Sequence, residues 1–314
     1  MKGRKIKSVE DNTVRVKKEY LKGKLIIISG ATASGKSFLG MKLAGILDGE
    51  IIGADSIQMY RGFDIGAAKP TEEDKKKVLH HMVDILNWND SFDAGQYSKK
   101  ARCIIDEILN RGKTPIVVGG SGLYVRALLG QNFNLDISGG DPEFKKKLSS
   151  ISEHDLYVLL TKLDESRAKK IHPNDRYRIE RALSIMHLTG RRVSDLEEEA
   201  RDNSYKKPRV WIYLKPDRET IINNINLRTG KMFEMGFIEE VKALLDSGCD
   251  PVSKPMQSIG YKEVSTAILN NDLEGIQNKV AIATRQYAKR QVTWFNKVDY
   301  DILIRSTDEL IIED

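Results

Sequence analysis

The stretch that decides the fold runs from residue 25 to residue 37 and reads LIIISGATASGKS. It begins as an apolar strand and continues into the phosphate-loop pattern G-x-x-x-x-G-K-[ST], which is filled by Gly30, Gly35, Lys36 and Ser37. The residues that follow carry apolar side chains at helical spacing. A strand, a glycine loop and a helix in this order form the structural context in which the pattern binds phosphate.

The chemistry of this loop favours a di- or triphosphate ligand. Its glycines allow backbone N–H groups to curl around an oxyanion, and the N-terminus of the following helix adds partial positive charge. Lys36 adds a full positive charge, and the Ser37 hydroxyl is placed to ligate a Mg²⁺ ion that bridges two phosphate oxygens. The predicted phosphate-binding residues are Gly30, Ala31, Thr32, Ala33, Ser34, Gly35, Lys36 and Ser37.

Short, β-branched strands alternate with helical patterns along much of the 314-residue chain. Buried strands separated by helices predict an α/β fold, a doubly wound parallel sheet of P-loop type. The predicted strands are 25–29, 50–54, 114–118, 209–214 and 301–304. The predicted helices around them are 37–47, 96–110, 217–235, 238–247, 262–270 and 274–297. Because residues 141–200 contain only helical patterns, we expect a helical insertion domain at 131–204. The catalytic core would then comprise 23–130 and 205–314.

Composition narrows the class of protein. The chain has 40% hydrophobic and 31% charged residues, as is typical of globular proteins, and no apolar run of about 18 residues that would predict a membrane span. Its first residues do not resemble a secretory signal, and two distant cysteines, Cys103 and Cys249, argue against a disulfide or zinc framework. We therefore expect a cytoplasmic monomer without a membrane partner.

Positive charge is concentrated in two parts of the sequence. Residues 1–22 hold eight Lys or Arg against three Asp or Glu, which predicts a basic N-terminal arm outside the fold. That arm is either a solvated tail or a contact for nucleic acid. A second basic bias lies between Lys254 and Lys297, with seven basic residues against three acidic ones.

Polar residues follow two of the predicted strands. Asp55 comes after strand 50–54, and side chains at the carboxyl ends of parallel strands face the ligand crevice. Asp55 is therefore either a general base or the cap of a helix that begins at Ser56-Ile57-Gln58. Strand 114–118 ends in Gly-Gly-Ser at 119–121, where an NTPase usually has an aspartate that holds Mg²⁺. These glycines either admit a bulky group close to the backbone, with Ser121 adding a hydroxyl, or form a tight turn.

These motifs together resemble the tRNA dimethylallyltransferase family, also called tRNA isopentenyltransferases. The resemblance spans residues 24–298 and departs from the family's pattern at Ala31 (for Pro), Ala67 (for Thr) and Ser121 (for Thr). The segments that carry it are the loop at 30–37, DSIQMYRGFDIGAAKP at 55–70, HHMVD at 80–84, GGSGLY at 119–124, HPND at 172–175 followed by RYRIER at 176–181, QSIGYK at 257–262 and TRQYAKRQVTWF at 284–295.

The resemblance implies a reaction and its participants. A dimethylallyl group would pass from dimethylallyl diphosphate to N6 of the adenine at tRNA position 37, beside the anticodon, with release of diphosphate. The loop would hold the diphosphate with Mg²⁺ as cofactor, and the helical insertion would contact the anticodon stem-loop. Asp55 would accept the amine proton, Lys36 and Arg228 would clamp the phosphates, and Ser121 would orient the amine or the phosphate.

The resemblance also implies where tRNA is bound. The positions that match the family's tRNA contacts are Asp55, Ser56, Ile57, Gln58, Tyr177, Arg178, Ile179, Glu180, Arg181, Gln257, Ser258, Ile259, Gly260, Tyr261, Lys262, Lys289, Arg290, Gln291 and Trp294. Splayed loop bases are read by hydrogen bonds to their edges and by aromatic stacking. Gln58 would read an adenine edge in this way.

Three other functions stay open at this point. The first is a small-molecule kinase that binds ATP, which the missing carboxylate after strand 114–118 and the helical insertion count against. The second is prenyl transfer to free AMP or ADP, which would leave the insertion and the basic region 254–297 without a purpose. The third is an RNA-binding protein without activity, which the presence of Lys36, Asp55 and Arg228 counts against.

Overall fold

Six parallel strands form the main sheet of this computed structural model, which describes residues 13–130, 141–202 and 204–314. In chain order the strands are β1 (Val14–Lys17), β2 (Leu25–Gly30), β3 (Gly49–Gly53), β4 (His80–His81), β5 (Thr114–Gly119), β6 (Arg209–Leu214), β7 (Ile302–Ile304) and β8 (Leu310–Glu313). The order across the main sheet is β4-β3-β5-β2-β6-β7, and β1 pairs with β8 in a separate two-stranded sheet. This is the predicted α/β fold of P-loop type with a parallel sheet, and the prediction is confirmed.

Helices follow most of the strands. In chain order they are α1 (Lys18–Leu21), α2 (Lys36–Leu47), α3 (Glu72–Lys77), α4 (Ala94–Asn110), α5 (Gly122–Leu128), α6 (Pro142–Ser149), α7 (Glu153–Leu163), α8 (Glu165–Ala168), α9 (Arg176–Thr189), α10 (Val193–Asp202), α11 (Arg218–Glu234), α12 (Phe237–Asp246), α13 (Tyr261–Leu269) and α14 (Ile276–Phe295). In the described part of the chain, none of them is long and apolar enough to cross a membrane.

The position of β2 determines where a ligand meets the sheet. It lies between β5 and β6, with Ile27 opposite Val117 on one side and Trp211 on the other. Ile26 and Ile28 are fully buried in a core cluster that includes Leu39 and Leu43 of α2. Because β2, β3 and β5 are parallel neighbours, the loops that follow them emerge at one edge of the sheet.

The chain divides into two units. The first contains the described residues within Met1–Asp90, Ala101–Gly122 and Lys207–Asp314, and the second contains those within Ser91–Lys100 and Leu123–Lys206. The second unit holds α6 to α10 around its own apolar cluster, which includes Leu156, Leu160, Ile179 and Leu183. The predicted insertion at 131–204 falls in this unit, although 131–140 and residue 203 lie outside the described residues.

The predicted basic arm at 1–22 needs correction. Residues 1–12 lie outside the described residues, but β1 and α1 belong to the fold. Val14 and Val16 are buried while Arg15 and Lys17 are exposed, because successive side chains of a strand point to opposite faces. Val14 pairs with Leu310 of β8. Charge counting alone predicted a tail here and overlooked this alternation.

Candidate active site

The loop between β2 and α2 has the geometry of an anion site. A side chain at Gly30 would place its Cβ 2.4 Å from the carbonyl oxygen of Leu214, so only glycine fits there. Gly35 has a φ of 95° at the start of α2, and no side chain caps this helix. The Ser34 hydroxyl is buried and has no hydrogen-bond partner among the described residues. Uncapped N–H groups and an unsatisfied hydroxyl leave this loop ready to bind an anion.

Two cationic side chains converge on the loop. Lys36 is half-buried, and its Nζ donates a hydrogen bond of 2.5 Å to the carbonyl oxygen of Ala31. Arg228 of α11 donates a hydrogen bond of 3.2 Å to Thr32 Oγ1. Burial, together with the nearby Arg228 guanidinium, lowers the pKa of Lys36 to about 7, although Asp55 opposes the shift. Burial also lowers the pKa of Arg228, again opposed by Asp55, but an arginine stays charged at neutral pH.

Asp55 lies two residues beyond the end of β3 and uses one of its two carboxylate oxygens structurally. Its Oδ1 accepts hydrogen bonds from the backbone N–H of Ile57 at 2.9 Å and of Gln58 at 3.4 Å. Within the described residues, no hydrogen bond reaches Oδ2. A turn follows Asp55 in place of the predicted helix, and Oδ1 caps that turn while Oδ2 is available to accept a proton.

A cavity of about 270 Å³ joins the loop to Asp55. Its polar lining includes Thr32, Asp55 and Arg228, and its apolar lining includes Ile225 and Met232. The residues that line it are Thr32, Asp55, Ser56, Ile57, Gly66, Ala67, Ile225, Arg228, Thr229, Met232, Gln257, Ser258, Ile259, Gly260, Tyr261, Val280, Thr284 and Tyr287. Thr32 of the phosphate loop, an apolar wall and a carboxylate thus share one cavity.

The glycines after β5 are required by packing within the protein. A Cβ at Gly119 would lie 2.1 Å from the carbonyl oxygen of Ala54, the residue before Asp55. A Cβ at Gly122 would lie 2.4 Å from the ring of Trp294. The groups that pack closely against these two glycines are therefore the backbone directly after β3 and the Trp294 ring of α14. Ser121 donates its backbone N–H to Ala54 at 3.2 Å, so the predicted hydroxyl residue lies close to Asp55 in the fold.

Ser37 is the residue predicted to hold Mg²⁺. It is exposed in the first turn of α2. In the ranges that the structure describes, no group of three or more His, Cys, Asp or Glu residues is suited to a metal ion. Mg²⁺ keeps several waters and often takes most of its other ligands from substrate phosphates, so a single hydroxyl beside a phosphate loop is compatible with it.

The predicted tRNA contacts of the first unit differ in exposure. Gln257, Lys262, Lys289 and Arg290 are exposed. The last two line an open groove of about 520 Å³ along α14, formed by Gln286, Lys289, Arg290, Thr293, Trp294 and Lys297. Gln58 is half-buried, and its Nε2 donates to the carbonyl oxygens of Ala67 and Ala68, both at 3.1 Å.

Two predicted tRNA contacts of the first unit are buried side chains. Tyr261 is fully buried, and its hydroxyl donates to Glu240 Oε1 at 2.6 Å. Its ring lies against Gly66, where a Cβ would approach it to 2.5 Å, so it supports the cavity wall from inside. Gln291 is 7% exposed, and its amide bonds only to protein groups. The Gln291 side chain is therefore enclosed by protein, whereas Tyr261 borders the cavity from a buried position.

In the second unit, the predicted contacts lie on α9. Tyr177 is 72% exposed, and Arg178 and Arg181 are exposed beside it on the same side of the helix. Ile179 is fully buried in the helical core, so its side chain packs against protein. Glu180 forms an ion pair of 2.7 Å with Arg176, within the same helix.

Some residues of the site had no role assigned from the sequence. Asn224 of α11 donates to the carbonyl oxygen of Ala33 at 3.1 Å. It lies one turn before Arg228, and this i, i+4 spacing is a signal that could have found it. Glu240 accepts hydrogen bonds from the N–H groups of Ile65 and Gly66, at 2.6 and 3.2 Å, and no motif marked it.

Comparisons with known proteins agree on one family. The IPP transferase family model matches residues 58–298. The chain is 42% identical to tRNA dimethylallyltransferase 1 of Citrifermentans bemidjiense over 277 residues, which cover 87% of this chain and 89% of that protein. A tRNA dimethylallyltransferase of Geobacter sulfurreducens is also 42% identical, over 88% of this chain and 90% of its own length.

Solved structures give the same result. The tRNA isopentenylpyrophosphate transferase of Staphylococcus epidermidis superposes with a TM-score of 0.65 at 37% identity, covering 91% of this chain and 94% of that one. A eukaryotic dimethylallyltransferase described as acting on tRNA superposes with a TM-score of 0.73 at 30% identity, covering 87% of this chain and 69% of its own.

Proposed function

This chain belongs to the tRNA dimethylallyltransferase (IPP transferase) family, and we propose that it transfers a dimethylallyl group from dimethylallyl diphosphate to N6 of adenine 37 in tRNA. One observation carries the proposal. A single cavity is lined by Thr32 of the phosphate loop, by Arg228, by apolar side chains and by Asp55, whose Oδ2 accepts no hydrogen bond from the described residues. These are the groups that a prenyl diphosphate and an amine acceptor require.

Different residues of the site would stabilise the leaving diphosphate and accept the proton of the amine. As N6 attacks the allylic C1 carbon, the C1–O bond breaks and its electron pair goes to the departing diphosphate. Lys36, Arg228 and the N–H groups at the start of α2 stabilise that charge. The amine lone pair is delocalised into the ring, so the N6 proton must leave as the bond forms, and Asp55 Oδ2 accepts it. When bound at Ser37, Mg²⁺ would neutralise part of the diphosphate charge.

The target adenine has to leave its stack to enter the cavity, which costs a few kcal/mol. We propose that the exposed residues of α14 and of α9 bind the anticodon stem-loop and offset that cost. The monomeric state expected from the sequence stays a prediction. The cytoplasmic location expected from the sequence stays a prediction.

A ligand screen separates this function from a kinase. With Mg²⁺ present, dimethylallyl diphosphate is expected to raise the melting temperature, alone or together with an unmodified anticodon stem-loop, and ATP is not. Stabilisation by ATP without stabilisation by the prenyl diphosphate would contradict the proposal. Equal prenylation of free AMP and of the stem-loop would instead favour the free-nucleotide reaction.

The pKa of Lys36 predicts a pH dependence of donor binding. Its pKa of about 7 means that the ammonium loses its proton above neutral pH, and a bound diphosphate favours the protonated form. Affinity for dimethylallyl diphosphate should therefore be full below pH 7 and fall about tenfold for each pH unit above it. Calorimetry between pH 6 and pH 9 measures this. Lys36→Arg, which stays charged, should bind with little pH dependence; an equally flat profile for the wild type would refute the assignment.

The groove along α14 predicts a salt effect. Lys289→Ala and Arg290→Ala should each weaken tRNA binding and reduce the slope of log affinity against log salt by about one, because each removes one phosphate contact. Lys113→Ala is the matched control, since Lys113 precedes β5 at the opposite edge of the sheet and pairs with Asp48 at 3.3 Å. An unchanged slope in the α14 variants would show that these side chains do not meet phosphate.

A further inference from the structure

Gln291 connects the phosphate loop to the turn after β5. Its Oε1 accepts a hydrogen bond of 2.8 Å from the backbone N–H of Thr32, inside the loop. Its Nε2 donates a hydrogen bond of 2.9 Å to the carbonyl oxygen of Gly120, the residue before Ser121. The side chain is 7% exposed; its hydrogen bond to Gly120 is buried and its hydrogen bond to Thr32 is partly buried.

The surrounding structure is shaped for this amide. A Cβ at Gly120 would lie 2.4 Å from Gln291 Nε2, so the glycine leaves the space that the amide occupies. Thr32, which Gln291 holds by its N–H, also accepts the hydrogen bond from Arg228 through Oγ1. The Gln291 amide therefore holds Thr32, the loop residue to which Arg228 donates its hydrogen bond.

Helix α14 has two faces with different surroundings. Thr284 and Tyr287 line the cavity, and Ala288 and Phe295 are buried. Gln291 lies on this inner side. The side chains of Gln286, Lys289, Arg290, Thr293 and Lys297 are exposed on the other side. Residues of the segment 284–295 can therefore serve the cavity on one side of α14 and tRNA on the other.

We propose that Gln291 is a positioning residue for the diphosphate site and does not contact tRNA. This inference rests on the proposed function, because prenyl diphosphate is the ligand for which Gln291 would position the loop. Gln291 supplies one acceptor for Thr32 N–H and one donor for Gly120 C=O, which no carboxylate can do. A carboxylate there would turn an oxygen toward the Gly120 carbonyl and add negative charge beside the loop that binds an anion.

Steady-state kinetics of the full-length protein with Mg²⁺, dimethylallyl diphosphate and unmodified tRNA test the proposal. Gln291→Met keeps the length of the side chain and removes both hydrogen bonds. We expect its KM for the donor to rise at least tenfold while its KM for tRNA stays within twofold of wild type. Gln291→Glu should raise the donor KM further. Lys289→Ala, on the outer side of α14, is the matched control and should show the reverse pattern.

Gly120→Ala provides a second, independent test. Its new methyl group displaces only the far end of Gln291, so the donor KM should rise as in Gln291→Met. In the double variant Gly120→Ala/Gln291→Met the two effects should not add. Once Gln291 has been replaced by Met, the new methyl group at position 120 has no amide to displace. A KM increase for tRNA alone, or additive effects in the double variant, would overturn the proposal.

Direct binding of inorganic diphosphate keeps this inference separate from the proposed function. Calorimetry should show weaker diphosphate binding by Gln291→Met and by Gly120→Ala than by wild type. If the wild type modified no tRNA but bound diphosphate more tightly than both variants, the proposed function would fail and the role of Gln291 at the phosphate loop would stand. Unchanged diphosphate affinity in both variants, with wild-type transfer intact, would refute the role of Gln291 alone.

Discussion

Asp55→Asn is expected to slow transfer of the dimethylallyl group by about 10²–10⁴-fold, the usual contribution of a general base. The substitution is well matched to the site because an amide oxygen can still accept the N–H groups of Ile57 and Gln58, as Oδ1 does. Only the proton acceptor is lost, since an amide nitrogen replaces Oδ2. Single-turnover measurements at saturating donor and tRNA isolate this step.

Binding measurements complete the test of Asp55. The affinities of Asp55→Asn for tRNA and for donor should stay near those of the wild type, because the base acts mainly in the transition state. Asp55→Ala, which also removes the acceptor of the turn, should in addition lower the melting temperature. If Asp55→Asn transferred at a near-normal rate, Asp55 would be a turn residue and the base would have to be sought elsewhere.

Arg228→Ala is expected to lower kcat by about 10²–10³-fold, in the range found when a donor to a developing negative charge is removed. Arg228 is half-buried, and charge on the leaving diphosphate grows as the C1–O bond lengthens. Its interaction therefore strengthens in the transition state, and kcat should fall more than donor affinity. Single-turnover rates and donor binding, measured side by side, show the difference.

Asn224→Ala is the matched control for Arg228. Asn224 lies on the same helix and donates a neutral hydrogen bond to the same loop, at Ala33. Its loss should slow transfer by less than about tenfold, since one neutral hydrogen bond contributes roughly 0.5–1.5 kcal/mol. Equal losses in the two variants would mean that Arg228 supports the loop and does not stabilise the leaving group.

Local sequence patterns predicted five of the six strands of the main sheet and missed the two-residue strand β4. The five predicted strands occur with bounds that differ by at most one residue, because each is a short apolar run between turn residues. The sheet of β1 and β8 could not be found in this way. Its strands lie at opposite ends of the described chain, and the pairing of Val14 with Leu310 leaves no local signal.

Motifs identified the site but not the direction of its side chains. The loop, Asp55 and Arg228 were predicted to act together, and the structure places Thr32 of the loop, Asp55 and Arg228 around one cavity. Tyr261 and Gln291 were predicted to contact tRNA because they belong to matching segments. A segment does not show which side of a helix a residue occupies. The spacing does: Gln291 lies four residues after Tyr287 and four before Phe295, on the inner side.

The central claim is that the phosphate loop holds a prenyl diphosphate while Asp55 deprotonates a tRNA adenine. Mass analysis of nucleosides tests it most directly, after the protein has been incubated with unmodified tRNA, dimethylallyl diphosphate and Mg²⁺. We predict an adenosine from position 37 that carries one dimethylallyl group on N6, together with one released diphosphate. Unmodified adenosine at that position, with ATP hydrolysed in a parallel reaction, would contradict the claim.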